Sequence, residues 1–168
     1  MCVSELPTNQ FNKRVSKKMA LVGKLVNQIE IKTSAEKYYK LFKHHIHHLP
    51  DITPIFQQVT VHDGDWDSHG HGSIKVWNYT VDGKAEVFKE RVVYDDKNFA
   101  VTVVGIEGDV FNHYKSFQGT YQVVPKDSKH CFAVLTVEYE KLDHSCPDPN
   151  KYLVLMTNVS KDIESFLK

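Results

Sequence analysis

Lys75 and Glu90 are the residues of this chain whose type and setting suit acid–base chemistry. Each interrupts a run of alternating bulky residues: Lys75 keeps step with Trp77 and Tyr79, and Glu90 with Phe88, Val92 and Tyr94. A period of two places both charges on the inner face of a sheet. A lone charge in an apolar layer is costly, so these groups must pair, shift their proton affinity or meet a polar ligand. Two readings stay open. One is a structural ion pair, or a register slip that turns both residues to solvent. The other is functional: Glu90 anchors a ligand hydroxyl or acts as a general base, with Tyr79, Tyr121 or Tyr139 as phenolic donor.

Other chemistry-bearing residues are less well arranged. The segment His44-His45-Ile46-His47-His48, with His69-Gly70-His71, has imidazoles suited to zinc. No cysteine or acidic cluster joins them, so surface or cavity-mouth histidines are expected rather than a metal site. The stretch from Asp63 to Gly72 is glycine-containing but carries Asp63, Asp65 and Asp67, which would repel phosphate. It also lacks a lysine-serine or lysine-threonine pair leading into a helix, so nucleotide binding is not expected. Cys2, Cys131 and Cys146 are odd in number and widely spaced, which argues for a reducing compartment and against a disulfide framework. Neither Cys131 nor Cys146 has an adjacent base, so a thiol nucleophile is not expected.

These residues must be positioned by one domain of 168 residues. Lysine plus arginine equal aspartate plus glutamate at 21 each, leaving no net field for nucleic acid or an anionic membrane. No window of about 18 apolar residues exists to span a bilayer, and no secretory signal is seen at the N-terminus. A cytoplasmic protein is expected, without stable membrane association.

Residues 1–18 mix polar and basic residues without periodicity and read as a flexible leader; residues 19–168 form the domain. Leu21 to Lys32 alternates as a half-buried strand should. Thr33-Ser34-Ala35-Glu36 offers a cap for a helix carrying Tyr38, Tyr39, Leu41 and Phe42, and Pro50 and Pro54 bound a short helical turn after it. From Ile55 onward, turn residues at regular intervals separate six further strands. The clearest hairpin is Val81-Asp82-Gly83-Lys84, because aspartate-glycine tolerates the positive φ of a type I′ turn. The final 22 residues form a long helix whose Tyr152, Leu155, Met156, Val159, Ile163 and Phe166 make one apolar stripe. Gly105 and Gly119 lie on inner faces of strands, where a missing side chain brings both curvature and space.

The architecture expected is α+β: a curved seven-stranded antiparallel sheet, two short helices and a long C-terminal helix across the sheet. A hollow between helix and sheet would be lined by Phe42, Trp77, Tyr79, Phe88, Val101 and Val103. Phe117, Tyr121, Leu135 and Tyr139 would follow from later strands, and Tyr152, Leu155, Met156 and Val159 from the helix, with Lys75 and Glu90 as its charged members.

This order of elements is similar to that of the birch-pollen-allergen (Bet v 1) and pathogenesis-related class 10 superfamily, with its START-like helix-grip fold. Within it the chain most resembles the major latex proteins of plants. The residues carrying the likeness are Gly23-Lys24-Leu25, Ala35 with Lys37-Tyr38-Tyr39-Lys40, Lys89-Glu90 and Ile106-Glu107-Gly108-Asp109. They continue through Tyr114-Lys115-Ser116-Phe117, Val124-Pro125-Lys126, Tyr139-Glu140-Lys141 and Lys161-Asp162-Ile163. The leader departs from the family, whose members typically begin near Met19-Ala20. The resemblance implies a large internal cavity for small hydrophobic metabolites such as sterols, terpenoids, flavonoids or alkaloids, in defence or specialised metabolism. It also implies the alternative of a cyclase or isomerase acting without a cofactor, for which Lys75, Glu90, Tyr79, Tyr121 and Tyr139 would be the catalytic set. No metal, cofactor or nucleic-acid partner is expected, and the protein is expected to be a monomer or weak homodimer.

Overall fold

Glycine and aspartate punctuation cuts the chain into strands of eight to twelve residues. In the computed structural model, which describes residues 21–63 and 72–168, they form one antiparallel sheet. The leader and the His69–His71 segment lie outside the described residues. The strands are β1 (Val22–Ile31), β2 (Phe56–Asp63), β3 (Ile74–Val81), β4 (Lys84–Asp95), β5 (Ala100–Gly108), β6 (Tyr114–Pro125) and β7 (Cys131–Lys141). Their order across the sheet is β1-β7-β6-β5-β4-β3-β2.

Between β1 and β2 run helix α1 (Ala35–His44), a 3-10 turn at Ile46–His48 and helix α2 (Leu49–Ile52). Ser34 caps α1, its Oγ accepting from the Lys37 N–H at 3.3 Å. Glu36 in the first turn and Lys43 and His44 in the last suit the helix dipole. Asp82 and Gly83 take φ of 49° and 74°, the expected type I′ hairpin, and this turn sets Lys75 directly opposite Glu90.

Helix α3 (Asn150–Leu167) closes the molecule and lies nearest β1 and β7. Tyr152, Met156, Val159 and Ile163 are buried beneath it. Phe166, read from the sequence as the end of the same stripe, is 59 % exposed. There it borders an open groove with Lys37, Leu41 and Ile52 instead of entering the core.

Polar joints fasten α3 along its length. The Tyr152 hydroxyl donates to Glu86 at 2.7 Å, and Asn27 Nδ2 donates to the Thr157 hydroxyl at 3.0 Å. Tyr38 and Ser160 share a buried hydroxyl–hydroxyl bond of 2.6 Å. Thr53 Oγ1 donates to Asp162 and the Lys32 N–H to Glu164, each at 2.6 Å. No helix among the described residues is long and apolar enough to cross a membrane.

Candidate functional site

Because α3 rests on β1 and β7, the space left beneath it opens toward β3 to β6. A cavity of about 90 Å³ lies there. That is well below the 300–1,000 Å³ usual for ligand pockets, and it corrects the large hollow implied by family resemblance. Aromatic rings occupy the difference: Phe42 packs on Tyr121 with centroids 4.7 Å apart, Phe56 on Trp77 at 4.7 Å, and Phe117 on Tyr152 at 5.2 Å.

Most of the residues expected at the hollow line it: Phe42, Trp77, Tyr79, Phe88, Glu90, Val101, Val103, Phe117, Tyr121, Tyr152, Leu155 and Met156. Lys75, Leu135, Tyr139 and Val159 do not. Leu135 and Val159 are fully buried on the side of the sheet where helix and β7 meet without a gap. Tyr139 lies near the end of β7, where its ring crosses Gly23 and its hydroxyl donates to Asp148 at 3.3 Å. Lys75 is fully buried, and its Nζ donates to the Ser73 hydroxyl at 2.6 Å rather than entering the lining.

Ile46, Leu49, Phe56, Val110 and Gly119 line the cavity without having been read as site residues. Ile46, Leu49 and Val110 belong to short helical segments, where strand alternation gives no signal. Gly119 was visible as a missing side chain, and its space is taken up by Met156, whose Cε would be 3.4 Å from a Cβ there.

The cavity has two polar ends. At one, Glu90 is 3 % exposed and its Oε1 accepts from the Trp77 indole N–H at 2.7 Å. Burial pushes the Glu90 carboxyl up to about 8, against the opposing pull of the indole donor and of the Lys75 charge. At the other end, Tyr79 and Tyr152 donate to the same oxygen of Glu86, at 2.8 and 2.7 Å, and Lys151 Nζ stands 3.6 Å from its partner oxygen. Burial and the bond to a carboxylate raise both phenols, so they remain donors across the physiological range. Glu86 shares the inward alternation of Phe88 and Glu90, the signal by which it was legible.

No described histidine lines this cavity. His47 and His48 have ring centroids 4.0 Å apart and His45 and His48 6.0 Å. Among the described residues no group of three or more histidine, cysteine, aspartate or glutamate side chains is arranged to hold a metal ion. Cys131 is buried in β7, with its thiol pushed up to about 11 by that burial, which makes it a poor nucleophile.

Comparison with known proteins places this geometry in context. Residues 20–168 match the sequence model of the pathogenesis-related protein Bet v 1 family. MLP-like protein 328 of Arabidopsis thaliana is 42 % identical over 147 residues, covering 87 % of this chain and 96 % of that protein. The crystal structure of ginseng major latex-like protein 151 from Panax ginseng superposes with a TM-score of 0.81 at 35 % identity, covering 87 % of this chain and 97 % of that one. Norcoclaurine synthase from Thalictrum flavum, solved with dopamine and hydroxybenzaldehyde, shares the fold with a TM-score of 0.71 at 18 % identity, covering 89 % of this chain and 90 % of that one.

Proposed function

Because the chain belongs to the pathogenesis-related protein Bet v 1 family, with major latex proteins among its relatives, we propose that it binds small hydrophobic plant metabolites in the cavity beneath α3. The candidates are sterol, terpenoid, flavonoid or alkaloid types, held in the cytoplasm for defence or specialised metabolism. One observation carries the reading: a space walled by aromatic and aliphatic side chains, with the hydrogen-bonded groups of Trp77, Glu90, Tyr79 and Tyr152 in its wall. Ligands larger than the resting space of about 90 Å³ enter by displacing lining side chains. Met156 is the softest of these, being unbranched and polarizable.

A second reading, a cofactor-free cyclase or isomerase, is favoured by Glu90. A carboxyl at the cavity wall whose proton is held to about 8 suits general acid–base catalysis near neutral pH.

Native mass spectrometry of the protein from its own tissue tests both. A retained metabolite returned unchanged on incubation with fresh protein supports the binding reading. Conversion of a precursor faster than in buffer, or with altered stereochemistry, supports the enzyme. Protein that retains nothing and fails to enhance an apolar fluorophore would remove the cavity from consideration.

Gly119→Ala separates binding from folding. A methyl there meets Met156 and Val103 at 3.4–3.5 Å, which is ordinary contact. Stability should hold or rise by about 0.5–1 kcal/mol, as for other strand glycines, while affinity for an apolar fluorophore falls several-fold because the added methyl occupies cavity space. Calorimetry and titration read the two effects, and unchanged affinity would place the ligand elsewhere.

A further inference from the structure

Trp77, Tyr79, Glu90, Tyr121 and Tyr152 are the lining residues with side-chain hydrogen-bonding groups. Most of that capacity is already spent. Tyr79 and Tyr152 donate to Glu86, and the Trp77 indole donates to Glu90 Oε1. Two groups remain. The Tyr121 side chain is 8 % exposed, and no described residue hydrogen bonds its hydroxyl. The second carboxyl oxygen of Glu90, Oε2, likewise takes no hydrogen bond from a described residue. Both side chains line the same cavity, close enough that the charge of Glu90 acts on the Tyr121 phenol. A hydroxyl that faces an apolar cavity without a protein partner leaves its hydrogen-bonding capacity open to a ligand group.

We propose that Tyr121 and Glu90 together recognise a hydroxyl group on an otherwise apolar ligand. The Glu90 carboxyl, protonated at neutral pH, donates from Oε2 to the ligand oxygen, and the ligand O–H donates to the Tyr121 hydroxyl oxygen. The class of ligand is therefore neutral alcohols and phenols. A ligand carboxylate would bury its charge with no cation in the lining to offset it, since Lys75 is not among the lining residues. A ligand ammonium would add a second cation to a buried region where Lys75 already opposes Glu90 across the β3–β4 ladder. This assignment rests on the cavity being the binding site proposed above, and it adds which functional group the site reads.

Phenol and toluene form the test, because they share shape and differ by a hydroxyl in place of a methyl. Affinities are taken from NMR titration of the wild type, Tyr121→Phe and Glu90→Gln, each first shown by melting to be folded. The ratio of phenol to toluene affinity is compared between proteins, so the different hydration of the two probes cancels. Expected is a roughly tenfold fall in that ratio for Tyr121→Phe, with toluene affinity unchanged. Glu90→Gln, whose amide N–H still donates but more weakly than a carboxylic acid, should lower the ratio by a smaller factor. A ratio unchanged in Tyr121→Phe overturns the hydroxyl assignment while leaving cavity binding intact. Failure of both probes to bind the wild type overturns the cavity reading along with it.

Discussion

Raising the pH from about 5 to about 8 should cost the wild-type fold a few kcal/mol that the Glu90→Gln variant keeps. The folded protein holds the Glu90 proton up to about 8, whereas a free glutamate releases it near 4.5. Below 4.5 both folded and unfolded chains are protonated, and this group's contribution is fully present. Between the two values the unfolded chain ionises while the folded chain does not, so rising pH draws the equilibrium toward unfolding; above about 8 the loss is complete. Glutamine has no such proton, and the remaining titrating groups are common to both proteins. Urea unfolding at the two pH values measures the difference. Parallel pH profiles would mean that Lys75 fully compensates the Glu90 charge and keeps it in the ordinary carboxylate range. Because the Lys75 charge pulls the Glu90 proton affinity down, Lys75→Met should extend the loss to still higher pH.

Gly108→Ala should destabilise the fold by roughly 3 kcal/mol or more, and ligand binding should fall with it. Gly108 has φ of 134°, and a Cβ there would lie 2.2 Å from the Val87 carbonyl oxygen and 3.0 Å from Phe88 Cα. Both neighbours are backbone and cannot swing aside. The close crossing is fixed by Asp109, whose Oδ2 accepts the Val87 N–H at 2.6 Å, and it sets Phe88 and Val110 into the cavity wall. Gly83→Ala is the comparison: its φ is 74°, but a Cβ there meets nothing within 4 Å, so only the conformational cost of about 1 kcal/mol applies. Equal melting temperatures for the two variants would show that the crossing yields more easily than its geometry implies.

The fold was legible because its signals are local and repeated. Asp82-Gly83 dictates its turn whatever surrounds it, and alternation through β3 and β4 correctly turned Lys75 and Glu90 inward together. Alternation identifies a face, though, and not where along that face the helix touches down. Leu135, Tyr139 and Val159 are inward and buried, yet the contact of α3 with β7 or the far end of the strand removes them from the cavity. Phe99 shows a related limit. It keeps step with Val101 and Val103, but β5 begins at Ala100, and Phe99 takes a left-handed φ of 50° and packs on Tyr39. Cavity volume was not legible at all, since a pattern of apolar positions says nothing about whether their rings meet or leave a gap between them.

The joints along α3 fall on Asn27, Lys32, Tyr38, Thr53 and Glu86 and their helical partners. Of those residues, Tyr152 alone also lines the cavity. Frame and lining are thus encoded at nearly separate positions. Val101, Val103, Leu155 and Met156 can be exchanged for other apolar residues without severing a fastening, so a duplicated copy of such a chain could drift toward a new ligand in small steps, each leaving the architecture standing.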